Sequence, residues 1–170
     1  MNEQLLLSII ENINLVNGHY PGKKELQKTV YLLQKKGLGL KYAYRFYFYG
    51  PYSDALDEDV QRLAIQGILG IQQDEYTHRV TLSSRASNML STKGKERDLI
   101  YNTINDLRQI SPAHLELMAT IVFLFDNKMI PDNHSEAAVV KKVHDVKANK
   151  YGNDEIRKYF QFLKEKEYIQ

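Results

Sequence analysis

Tyr42 to Ser53, YAYRFYFYGPYS, constrains this chain more than any other stretch, because it holds seven of its 18 aromatic residues. Aromatic side chains carry a large apolar area each and dominate the cores or interfaces that they join. At a period of two, Tyr44, Phe46 and Phe48 point one way and Arg45, Tyr47 and Tyr49 the other, an alternation that predicts a strand. Gly50-Pro51 then stops that strand, since proline has no N–H for a ladder, and Ser53 stands where its side chain can cap a following helix. On this reading Phe46 and Phe48 face the core. Arg45, Tyr47, Tyr49 and Tyr52 occupy the outward face or the turn.

Around that stretch the composition is that of an ordinary folded chain: 170 residues, 43% apolar and 26% charged, room for one sizeable core or two small subdomains. The chain has no cysteine, which removes disulfides, thiol catalysis and cysteine-ligated zinc. No apolar run approaches the ~20 residues that span a bilayer, and no basic segment precedes the first apolar residues as in a signal peptide. A cytoplasmic location is expected. The net charge is only +2, but it is unevenly spread. His19 to Gly50 holds seven Lys/Arg against Glu25, a local +6, and Pro51 to Glu75 holds six acids against Arg62, a local −5.

Helical periodicity marks most of the remainder. Leu5, Leu6, Ile9, Ile10, Ile13 and Val16 form the stripe of a first helix ended by Asn17-Gly18. A second runs from Lys23 to Lys36, with Leu26, Val30 and Leu33 on one face. A third follows Ser53, with Leu56, Val60 and Leu63 inward and Asp54 and Asp57 in its first turn, where acids are favoured. Ile68–Gln73 and Tyr76–Leu82 predict a hairpin, or wing. The serine-rich stretch 84–95 reads as a linker. Past it come helices from about Glu96, from Ser111-Pro112 to Phe125, from Ser135, and from Asn153. The expected fold is mainly helical α+β: a winged-helix-like half with a small antiparallel sheet over 1–83, and an all-helical half over 96–170 packed on it.

Leu26-Gln27-Lys28 and Tyr31-Leu32-Leu33, followed by Phe46-Tyr47-Phe48-Tyr49-Gly50-Pro51-Tyr52-Ser53 and by Leu56, Asp59-Val60, Leu63 and Gly67, resemble the YwgA-like proteins. More distantly they resemble the SocA-like domain, also called Panacea, found in antitoxins. The likeness covers about Pro21 to Ser83, and the serine-rich linker departs from the Thr-x-x-Gly opening common in that family. It implies a small bacterial or phage helical domain that neutralises or tethers a protein partner. It supplies no catalytic residues.

The residues themselves point to no catalysis. Gly37-x-Gly39 follows a helix, not a strand, so it makes no dinucleotide cradle and reads as a helix stop. The five histidines lack metal-binding spacing, and Asp54, Asp57, Glu58 and Asp59 fan around one helix instead of converging. No nucleophile elbow or phosphate loop is present. No cofactor or metal is expected.

Nucleic-acid binding is the rival. Winged helices read duplexes with their third helix, but here that helix carries four acids and one arginine, and phosphates repel it. The link between the second and third helices is about sixteen residues, where a helix-turn-helix has three or four. A DNA-binding regulator would have to use the basic face of Lys23, Lys24, Lys28, Lys35, Lys36 and Lys41. The sequence therefore predicts a non-enzymatic, antitoxin-like or defence-associated protein-binding module. Its partner face is Arg45, Tyr47, Tyr49 and Tyr52, with Gly50, Pro51 and Ser53 as the turn and cap. The partner is another protein, a second copy of this chain among the options; nucleic acid is disfavoured and no membrane is expected.

Overall fold

Helix α2, Lys23–Lys35, is buried without a break from Glu25 to Leu33, so it has no solvent face over more than two turns. The computed structural model describes residues 2–131 and 134–170, and within them α2 feeds two apolar clusters. Leu26, Val30 and Leu33 enter the first cluster, with helix α1 (Asn2–Asn17), helix α3 (Asp54–Ile65) and the hairpin of strands β3 (Leu69–Gln73) and β4 (His78–Leu82). Tyr31 and Leu32 enter the second, built on helices α6 (Pro112–Asp126), α7 (Glu136–Lys147) and α8 (Asn153–Glu165). A helix buried between two cores is ordinarily apolar all round, but α2 also buries Glu25, Gln27, Lys28 and Thr29 between its two core faces, and buried polar groups need partners.

The helix starts follow the sequence closely. Ser53 Oγ accepts from Leu56 N, Ser111 Oγ from His114 N and Ser135 Oγ from Ala138 N, each satisfying an otherwise unpaired first-turn donor. Short helix α4 (Ser84–Ser87) lies inside the stretch expected to be a linker, capped by Ser83. Helix α5 (Gly94–Asp106) then packs on α1, and its Ile100 and Ile104 belong to the first cluster. Packing thus crosses the serine-rich segment instead of parting there.

The aromatic stretch departs from the expected single strand. Strand β1 (Arg45–Tyr47) turns back through Phe48 and Tyr49 into β2 (Gly50–Tyr52), pairing Arg45 with Tyr52, Phe46 with Pro51 and Tyr47 with Gly50. Gly50 and Pro51 therefore do not stop a strand; they form the returning one. Gly50 has a φ of +85°, and a left-handed residue directly after a tight turn matches the twist of the two strands. Pro51 fits a two-stranded sheet because only one of its edges needs a donor. The β1–β2 sheet is separate from the β3–β4 sheet, so the protein is mainly helical with two small antiparallel sheets, and the expected strand does not join the wing.

Two glutamines of α2 fix this stretch to the helix. Gln34 Nε2 donates to Tyr42 O at 2.9 Å, and Tyr42 N donates to Gln34 Oε1 at 3.0 Å. Gln27 repeats the pattern on Ser53, with Nε2 to O at 2.9 Å and N to Oε1 at 2.9 Å. Ser53 is wholly buried, so its backbone groups have no water to fall back on. Gln27→Ala is expected to cost about 2–4 kcal/mol in urea unfolding, one to two for each orphaned group. A loss below about 0.5 kcal/mol, the size of an ordinary surface change, would show that the clamp does not hold the segment.

Candidate functional site: an aromatic hairpin on a buried charge cluster

Strand β2 packs against α2 and α6, and its backbone is held from beneath by lysines. Lys28 Nζ donates to Pro51 O at 2.6 Å, and Lys147 Nζ to Phe48 O at 3.1 Å. Gly50 lies so close to α6 that an added Cβ would stand 2.8 Å from Thr120 Oγ1 and 3.6 Å from Glu116 Cγ. Only glycine meets both this approach and the positive φ.

Under the hairpin Glu116 has no exposed surface. Its Oε1 accepts from Lys147 Nζ at 2.7 Å and Lys150 Nζ at 2.8 Å. Lys24 Nζ stands 2.5 Å from Oε2 as an ion pair, although its approach is not that of a directed hydrogen bond. Burial works against the ionised carboxyl, but the hydrogen bonds from Lys147 and Lys150 and the close ammonium of Lys24 outweigh it and hold the group down to about 2. Lys28, 1% exposed, has no carboxylate within ion-pair distance among the described residues; its bond goes to Pro51 O. Burial lowers its amine to about 7; Glu116 opposes that shift, and Lys147, Lys24 and Lys150 add to it.

The outer face is aromatic. Phe48 is 78% exposed, Tyr49 58%, Tyr47 43% and Phe46 36%, so the expectation that Phe46 and Phe48 are core residues is overturned: the turn placed where the strand was to continue lifts Phe48 into solvent. Phe46 lies on the surface of α6, its ring 5.6 Å from that of Phe123. Of the four residues expected to bind a partner, three gather. The Arg45 guanidinium lies 4.4 Å from the Tyr47 ring and 5.8 Å from that of Tyr52, and is held by Asp54 at 2.9 Å. Tyr49 stands apart, on the side where Lys24 and Lys150 lie 4.9 and 5.5 Å from its ring centre. Sequence reasoning missed Glu116, Lys147 and Lys150. One signal was present: Glu116 is the only charge between Leu115 and Phe125, and such an isolated acid in an apolar helix has to find cations.

The basic stretch does not form a free face. Lys23 pairs with Asp57 at 3.7 Å, Lys24 with Glu116, Lys35 with Asp126 at 2.6 Å and Arg45 with Asp54. Lys36 donates to Lys166 O, and Lys28 is interior. Among the described residues Lys41 alone of the seven has neither an acidic nor a carbonyl partner. Two hollows flank Tyr49, and both are lined by Lys24 and Tyr49. The smaller, about 260 Å³, lies over Leu26, Leu56 and Val60. The larger, about 710 Å³, reaches His19, Glu25, Tyr76 and Arg79. The latter lies in the size range of ordinary ligand sites, roughly 300–1,000 Å³.

Among the described residues no group of three or more His, Asp or Glu could hold a metal ion, and no helix is long and apolar enough to cross a membrane.

The chain is similar to YwgA of Bacillus subtilis strain 168. That uncharacterised protein is 27% identical over 154 residues, which cover 88% of this chain and 89% of the relative. The likeness to YwgA runs through most of both chains and supports a YwgA-like family. No family model matches.

Removing the carboxylate strands several partly buried ammonium groups, so Glu116→Gln is expected to cost about 3–5 kcal/mol in chemical denaturation. Because the folded carboxyl titrates near 2 and the unfolded one near 4.5, the stabilisation is complete above about pH 4.5 and is lost as pH falls towards 2. Unfolding free energies measured down that range should therefore converge for the wild type and Glu116→Gln. Lys28 has the opposite sense. Its folded pKa of about 7 lies below the unfolded 10.5, so the unfolded chain binds more protons between them and stability rises with pH. Up to about pH 9.5, below the ordinary tyrosine range, that rise should be steeper in the wild type than in Lys28→Met, where Lys147, whose amine burial also lowers, retains part of it.

Proposed function

We propose that this chain is a non-enzymatic protein-binding module, antitoxin-like or defence-associated, that docks on its partner through the β1–β2 hairpin. The observation that supports this reading is the exposure of Phe46, Tyr47, Phe48 and Tyr49 together on one firmly anchored turn. Tyrosine and arginine are the side chains that anchor protein interfaces, and contiguous exposed apolar surface marks interaction sites. Arg45, Tyr47 and Tyr52 add a stacked cation and two rings beside the tip. A preformed tip also loses little conformational freedom on binding. The antitoxin-like part rests on the resemblance of Leu26-Gln27-Lys28 and Gly50-Pro51-Tyr52-Ser53 to the SocA-like domain. A DNA-binding regulator draws no support from this geometry, because six of the seven cations in 23–45 are already engaged.

Phe48→Ala combined with Tyr49→Ala removes the tip without touching either core. Used as bait beside the wild type, the variant should retain a stoichiometric protein partner at least about tenfold more weakly, with thermal unfolding unchanged. Equal retention by both baits, or salt-sensitive retention of duplex DNA in place of a protein, would refute the reading.

A further inference from the structure

Three ammonium groups, on Lys24, Lys147 and Lys150, share the single carboxylate of Glu116. Among the described residues none of the three has a second acidic partner, so the cluster keeps two positive charges in excess. The excess is felt nearby: after burial, and against the pull of Glu116, these same three lysines oppose the charged form of Lys28. It also reaches the surface, because the side chains of Lys24 and Lys150 are 32% and 39% exposed. Both flank the exposed ring of Tyr49. From there the larger hollow continues past His19 and Arg79, and its only acidic lining residue, Glu25, is buried and bonded to Asn17 at 3.2 Å.

We propose that Lys24 and Lys150, beside the ring of Tyr49, take a carboxylate side chain from a short acidic segment of a protein partner, with Phe48 and Tyr49 packing on the apolar residue beside it. This rests on the protein-binding reading and names the partner's chemistry. A carboxylate there neutralises charge that Glu116 leaves uncompensated, in a setting where half-buried lysines and rings exclude part of the water. The occupant is a short segment and not a long polyanion, because Asp57 of α3 lines the smaller hollow beside Lys24 and Tyr49, and a duplex running past the hairpin would bring its phosphates against the acids of that helix. Inorganic phosphate would gain nothing from the exposed tip.

The test is a titration of the full ¹⁵N-labelled chain with the blocked peptide Asp-Glu-Phe-Asp-Glu, its basic counterpart Lys-Lys-Phe-Lys-Lys, inorganic phosphate, and a short DNA duplex. The acidic peptide should give saturable shifts centred on Lys24, Tyr49 and Lys150, weakening as salt is added. Lys24→Gln with Lys150→Gln should weaken it about tenfold or more, a change expected when paired charges are removed from an interface. Lys24→Arg with Lys150→Arg, which keeps the charge, should bind within about threefold of the wild type, separating loss of the ligand from loss of the fold. Equal binding of both peptides, absence of saturation, or saturation of the same residues by phosphate or duplex alone would overturn the proposal. If the tip variant loses its protein partner while the acidic peptide fails to bind, the acidic-partner inference falls and the protein-binding reading stands.

Discussion

Gln27 and Gln34, two turns apart on α2, each give one donor and one acceptor to the backbone of a single residue, Ser53 and Tyr42. The rest of the architecture depends on this. An extended segment lying along a helix has no ladder to join, because the helix spends its own backbone groups internally. Side-chain amides imitate a neighbouring strand at both ends of 42–53 and leave the middle to fold back on itself. The two motifs that carried the family resemblance, Leu26-Gln27-Lys28 and Gly50-Pro51-Tyr52-Ser53, are thus the two halves of one contact. Gln27 holds Ser53, and Lys28 holds Pro51.

The same arrangement accounts for the segregated charge. A +6 stretch followed by a −5 stretch has the pattern of a basic surface beside an acidic one. In the structure the two lie against each other, through Lys23 with Asp57 and Arg45 with Asp54. What stays unbalanced is elsewhere, at Glu116. Pairs as exposed as Arg45–Asp54 add little to stability, whereas the three lysines around an interior carboxylate hold a strongly depressed acid in place.

The helices were legible because their signals are local: a serine cap followed by an apolar stripe marks α3, α6 and α7, and each cap forms as expected. The hairpin was hidden because its turn is Phe48-Tyr49 instead of the Asn-Gly type that signals one. The alternation from Tyr44 to Tyr49 looks the same in a straight strand as in a folded one, so Phe46 and Phe48 were assigned to the core although both are exposed. The charge cluster was hidden by distance along the chain, since Lys24, Glu116, Lys147 and Lys150 meet only after α2, α6 and α7 pack. Serine content misled at 84–95 for a related reason: serine caps α4, and Ile100 and Ile104 of α5 return to the first core, which local composition does not encode.

Gly50 admits no methyl group against Thr120, whereas Phe48, two residues away, touches neither core. The foot of the hairpin is therefore intolerant of change and its crown is indifferent to it. A scaffold with that division can change its crown while the foot keeps the same grip on α2 and α6, so related chains can carry different exposed tips without renegotiating how they fold.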